Sequence, residues 1–157
     1  SKKVEFKSSL RFDLREKKSM PHIEHSCFKN LAAFLNTEGG TLLIGVEDNG
    51  NIIGLEDTDY ITFKGANKKD ELLKHLDNLV EKYFSNSLSE HFMVSVESVD
   101  GKSVAIIEVP EKAPGPVILK NKEKNAEEFF IRRNASAVSL TMFEFYNYAK
   151  NHWKINE

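Results

Sequence analysis

Three groups of side chains in this 157-residue sequence could do chemistry. The first is basic. Residues 1–18 hold Lys2, Lys3, Lys7, Arg11, Arg15, Lys17 and Lys18 against Glu5, Asp13 and Glu16. The second is the adjacent pair Arg132-Arg133. The third is acidic. Residues 38–59 hold Glu38, Glu47, Asp48, Glu56, Asp57 and Asp59 with no Lys or Arg among them. Clustered cations draw a polyanion such as nucleic acid, and clustered carboxylates draw a divalent cation. The plain alternative is that both are solvated faces. With a net charge of −2, any attraction to a polyanion must be local.

Other motifs carry less. Gly101-Lys102-Ser103 suggests a phosphate loop, but the glycine needed five positions before Gly101 is Val96. No GxGxxG is present, so a dinucleotide fold has no support. His22 and His25 stand three apart but lack a third ligand at the usual spacing. Cys27 is the single cysteine, which excludes an internal disulfide and a cysteine-based zinc cluster. Its place on an apolar helix face reads as inert core.

These residues need elements to position them. Val4–Leu10 reads as a strand and Arg11–Ser19 as a loop, with Ser19 capping a helix that has Pro21 in its first turn. Ile23, Cys27, Leu31, Phe34 and Leu35 mark one helical face, and Gly39-Gly40 ends the helix. Thr41–Val46 is a buried strand, turned at Asn49-Gly50 into a return strand at 51–54. Lys68–Phe84 reads as an amphipathic helix. Alternation at Phe92, Val94 and Val96, a turn at Asp100-Gly101 and the run Val104–Val109 predict a hairpin. Short strands at 117–119 and 129–131 and a closing helix at 141–153 complete the chain. The order β-α-β-β-α-β-β-β-β-α predicts an α+β fold. Its sheet is mixed or largely antiparallel, with hairpins and about three helices, in one domain over residues 1–157.

One segment is distinctive. Asn30–Gly50 joins a helix, a two-glycine break, a buried strand and a hairpin, with Asn36 near the helix end and Asp48 beside the turn. Its Ala33-Phe34-Leu35-Asn36-Thr37-Glu38-Gly39-Gly40-Thr41-Leu42-Leu43-Ile44-Gly45-Val46-Glu47-Asp48 resembles the signature of the Schlafen-type AlbA-like domain family. Val4-Glu5-Phe6-Lys7 is similar to the family's opening strand, and Phe130-Ile131-Arg132-Arg133-Asn134 to a later element. The similarity spans about residues 1–136. Within it, Asn36, Gly39, Gly40 and Gly45 are the structural positions of the motif.

The resemblance implies two activities. Many prokaryotic members sit at the front of proteins that look like transcriptional regulators and are taken to bind DNA. On that reading Lys7, Arg11, Arg132 and Arg133 contact phosphates of DNA or RNA. Animal relatives include endoribonucleases that cut structured RNA with an acidic triad. Mapped here, two of the three acids are Glu5 and Asp48, and the remaining glutamate would precede Ser1. Such carboxylates would hold Mg or Mn. A third reading is a protein-interaction or homo-oligomerisation module, because Phe143, Phe145, Tyr146, Tyr148 and Trp153 cover more than one face of the closing helix.

No apolar run approaches the roughly 20 residues that span a bilayer, and residues 1–5 lack the apolar core of a signal peptide. With one cysteine, these features predict a cytoplasmic protein without membrane contact. A start at Ser1 predicts a domain excised from a longer protein.

Overall fold

The computed structural model describes residues 3–84 and 88–154. Lys2, counted above in the basic segment, lies outside them. The strands are β1 (Val4–Lys7), β2 (Phe12–Asp13), β3 (Lys18–Ser19), β4 (Gly40–Ile44), β5 (Met93–Val99), β6 (Lys102–Val109), β7 (Leu119–Asn121), β8 (Ala126–Glu128), β9 (Phe130–Arg133) and β10 (Ser136–Ser139). The helices are α1 (Pro21–Leu35), α2 (Lys68–Tyr83) and α3 (Met142–His152).

The main sheet has the order β1-β4-β6-β5, with β1 parallel to β4 and the other pairs antiparallel. Three two-stranded hairpins, β2-β3, β7-β8 and β9-β10, surround it. This is the expected α+β class with a mixed, mostly antiparallel sheet and three helices.

Register fixes which side chains share a face. Glu5 and Lys7 lie opposite Leu42 and Ile44, which lie opposite Ile107 and Ala105. Those four apolar residues are all at most 2% exposed, so Glu5 and Lys7 project from the core face of the sheet at its β1 edge.

Helix α1 packs on that face and is apolar nearly all round. Cys27, Phe28, Leu31, Ala32, Ala33, Phe34 and Leu35 are all buried, the pattern of a helix enclosed by other elements. On one flank Phe28 stacks on Tyr83 of α2 with centroids 4.7 Å apart. On the other flank lies the hairpin β9-β10. Cys27 accepts no reactive role. Burial pushes its thiol pKa up to about 12, and its Sγ faces the carbonyls of Ser9 and Leu10.

The structure departs from the expectations from sequence at five places, one being the charged stretch between the strands expected at 117–119 and 129–131, where β7 and β8 pair as a hairpin. Met20, not Ser19, is the N-cap of α1, and it supplies no side-chain cap. The loop at 11–19 contains the β2-β3 hairpin, whose strands of two residues are too short to show a period. The return strand at 51–54 shrinks to one bridge, Val46 to Ile52. Strand β10 was not expected, because Ser136-Ala137-Val138-Ser139 has little apolar content.

A buried charge ties α1 to α2. Glu24 is 6% exposed, and its carboxylate meets Tyr83 Oη at 2.8 Å, Lys82 Nζ at 3.1 Å and His75 Nε2 at 3.3 Å. Burial raises its pKa, but bonds from His75, Tyr83 and Lys82 outweigh burial and bring it to about 2. The folded pKa is thus depressed, so the stabilisation is present above the ordinary value of 4.5 and lost as pH falls toward 2. The full shift is worth about 3 kcal/mol, with roughly 2 kcal/mol gone by pH 3. Urea unfolding of wild type should show this loss. Glu24→Gln should be less stable at pH 7 and should lose less over the same acid range, where carboxylates such as Asp13 and Glu144 still titrate. An equally steep acid profile in that variant would remove Glu24 as the cause.

Candidate nucleic-acid interface

The signature segment after α1 is a structural hub. Asn36 is fully buried. Its Oδ1 accepts from Val117 N at 2.8 Å, and its Nδ2 donates to Val117 O at 2.9 Å and Phe130 O at 3.0 Å. Its own carbonyl accepts from Tyr148 Oη at 2.6 Å. Thr37 Oγ1 accepts from Arg132 N at 2.9 Å, and Thr37 O from His152 Nε2 at 2.8 Å. Asparagine suits this place because one short side chain offers both a donor and an acceptor to the backbone. Gly39 and Gly40 let β4 leave the hub without a side chain. A methyl on Gly40 would overlap the Phe34 ring. At Gly45 the chain turns again, and the N–H groups of Gly45 and Val46 both donate to Lys7 O, at 2.7 and 3.1 Å.

The hub sets β9 against the open edge of β1, and the alternation of a strand then separates the two arginines. Arg132 turns inward with its side chain 7% exposed. Its Nη1 donates to Glu5 Oε1 at 3.2 Å, its Nη2 to Val4 O at 3.3 Å, and its guanidinium lies 4.8 Å from the Phe34 ring centroid. Arg133 is exposed and close to α3. There Thr141, through its backbone and side chain, holds the Glu144 carboxyl below its ordinary pKa, with a smaller contribution from the Arg133 charge.

Glu5 therefore sits between two cations. Lys7 Nζ is 4.0 Å from Glu5 Oε2 and donates to Ser26 Oγ of α1 at 3.1 Å. Lys7 also lines an open groove with Ser8, Arg15, His22 and Ser26. Asp13 and Glu16 share this groove, but Asp13 is engaged, accepting from the N–H groups of Glu16 and Arg15, which lower its pKa. The uncapped N-terminus of α1 reaches the same groove through Met20, His22 and Ile23.

Arg11 is placed elsewhere. Its guanidinium donates to Thr62 Oγ1 at 2.8 and 3.2 Å, lies 3.3 Å from His75 Nε2 and stacks 4.7 Å over Phe63. A member of the acidic group, read from sequence only as a carboxylate that could draw a cation, holds it there. Asp59, fully buried, accepts from the N–H groups of Leu10, Arg11 and Phe12 at 2.6, 2.9 and 3.1 Å. Burial drives the Asp59 pKa upward against those three donors. Thr37 and Ser26 were also missed, since neither type signals a partner. Glu24 did leave a signal, a lone carboxylate inside the apolar face of α1.

Asp48 is exposed in the turn after β4, where Glu47 N donates to Asn51 O and Gly50 N to Glu47 O. The Glu5 carboxylate is already matched by Arg132 and Lys7. Among the described residues no group of three or more His, Cys, Asp or Glu could hold a metal ion.

The fold is thus an α+β domain in which a helix-end asparagine and a glycine pair dock a basic hairpin against an edge strand. The sequence matches the model of the family described as "Schlafen, AlbA_2" over residues 1–141, and the chain belongs to that family. No curated protein matches. Among solved structures, the DIP2311 protein from Corynebacterium diphtheriae is similar, with TM-score 0.61 and 21% identity over 95% of this chain. This chain spans 24% of that protein's length. The N-terminal domain of a protein from Nitrosomonas europaea, described as related to the ATP-dependent DNA helicase RecG, is similar with TM-score 0.52 and 21% identity. That match covers 90% of this chain and 84% of the other. No helix among the described residues is long and apolar enough to cross a membrane.

Proposed function

We propose that this chain is a nucleic-acid-binding domain that receives a sugar–phosphate backbone in the groove beside β1. One observation carries the reading. Lys7, Arg15 and the N-terminus of α1 open onto the same concave surface. A helix N-terminus carries partial positive charge; Pro21 has no N–H and Ile23 N donates to Met20 O, and Met20 offers the remaining first-turn N–H groups no side chain. Two serine hydroxyls, from Ser8 and Ser26, supply further phosphate donors. Arg132 serves this groove indirectly, by neutralising Glu5 so that the neighbouring carboxylate does not repel phosphate. Arg133 is the exposed contact on the hairpin. We read it further as an N-terminal module of a longer, transcriptional-regulator-like protein, a reading supported by family membership; the RecG-related neighbour is likewise an N-terminal domain.

Phosphate contacts make binding steeply salt-dependent. Titrating labelled DNA and RNA between about 50 and 200 mM salt gives the slope of log affinity against log salt. Lys7→Ala should reduce that slope by about 1 on every sequence tested. Retention of neither polymer at about 50 mM salt, where such contacts are strongest, would end the proposal.

A further inference from the structure

The closing helix has two aromatic faces with different fates. Phe145, Tyr148 and Trp153 turn inward around Phe129, with ring centroids 4.7, 6.1 and 6.3 Å away. Tyr148 and Trp153 also anchor the helix by donating to Asn36 O and Ala113 O. The Thr141–Glu144 capping box fixes its first turn. Phe143 and Tyr146 point the other way, 77% and 59% exposed, with Met142 beside them at 86%. Lys150 continues the stripe, since 143, 146 and 150 recur at helical spacing and all three are exposed.

We propose that this stripe is a stacking platform for the bases of single-stranded nucleic acid. The inference rests on the nucleic-acid reading above and deepens it, naming the strand state that is bound. Charge selects the occupant. Residues 129–154 carry Arg132, Arg133, Lys150 and Lys154 against one acid, Glu144, in a chain whose net charge is −2. Glu144 is engaged in the capping box and Arg132 on Glu5, which leaves Arg133, Lys150 and Lys154 exposed, Lys150 on the same helical stripe as the two rings.

Size argues against a second copy of the chain. A fully buried aromatic side chain contributes about 150–250 Å², so Phe143, Tyr146 and Met142 fall short of the roughly 800 Å² that each partner of a stable dimer contributes. A duplex keeps its base faces covered, whereas a single strand presents them to exposed rings.

The test uses the wild-type chain and the double variant Phe143→Ala/Tyr146→Ala. Fluorescence anisotropy follows labelled oligothymidylate of about 20 nucleotides, longer than the roughly 4–16 nucleotides that single-strand sites cover, beside a duplex of equal length. Stacking is worth at least fivefold per base, so the double variant should lose about 30-fold or more on oligothymidylate. Its duplex affinity and salt slope should stay unchanged, because the groove cations are intact. Phe143→Leu/Tyr146→Leu, which keeps apolar bulk without rings, should show the same selective loss and guards against a folding artefact. Undiminished oligothymidylate binding in both variants overturns the platform while leaving the groove reading intact. So does light scattering that finds a wild-type dimer made monomeric by the variants with strand binding unchanged. Wild type that binds neither probe would instead overturn the groove reading itself.

Discussion

Gly39→Ala is expected to lower stability by about 3 kcal/mol or more, a large part of the 5–15 kcal/mol that holds a domain of ordinary stability. Gly39 has φ +80°, where a side chain is strained. A methyl there would overlap Val109 O and press on the Glu111 backbone at 3.0–3.1 Å. Both obstacles are main chain and cannot rotate away. Gly50 provides the control. It also has positive φ, +92°, but a methyl on it would meet nothing within 4 Å, so Gly50→Ala should cost only about 1 kcal/mol of backbone strain. The difference between the two variants in urea denaturation measures the steric contribution alone. Equal losses at both sites would show that the hub tolerates a side chain and that the close approach has no energetic consequence.

That comparison explains why the signature was readable while its work was not. The helix, the two-glycine break and the buried strand follow from local pattern. So does the hairpin at Asp100-Gly101, because turn chemistry and alternation are written within a few residues. The partners are not local. Asn36 bonds Val117 and Phe130, 81 and 94 positions away, and Arg132 reaches Glu5 across 127. Nothing in the spacing of Arg132-Arg133 says which neighbour turns inward. That is decided when Thr37 Oγ1 fixes the Arg132 N–H, and with it the pleat of β9. The basic segment at 1–18 likewise looks uniform, yet its members separate. Lys7 and Arg15 face one groove, while Arg11 is drawn toward Thr62 and Phe63 by the three N–H bonds that Asp59 accepts.

The two adjacent arginines should therefore respond oppositely to truncation. Arg132→Ala removes a guanidinium that is 7% exposed, its stack on Phe34 and its bonds to Glu5 and Val4 O. The expected loss is about 2–3 kcal/mol, since a partly buried carboxylate and an edge carbonyl lose a charged donor together. Glu5→Gln keeps the shape and should cost about 1 kcal/mol. A double-mutant cycle over both sites should give a coupling of about 1–2 kcal/mol, the sign of a direct pair. Arg133→Ala, on the exposed side of the same strand, should stay within about 0.5 kcal/mol of wild type while lowering the salt slope of nucleic-acid binding by about 1. Arg132→Ala also uncovers the Glu5 charge beside Lys7, so its binding should weaken on every polymer. Adding Glu5→Gln should restore part of that binding, because the repelling carboxylate is then gone. A direct phosphate contact by Arg132 requires the reverse: no coupling to Glu5, and no rescue by the second change. The pairing of an inward arginine with an acid at a sheet edge thus makes a definite statement about binding: its contribution is the removal of a negative charge, and the neighbours on the open surface hold the strand.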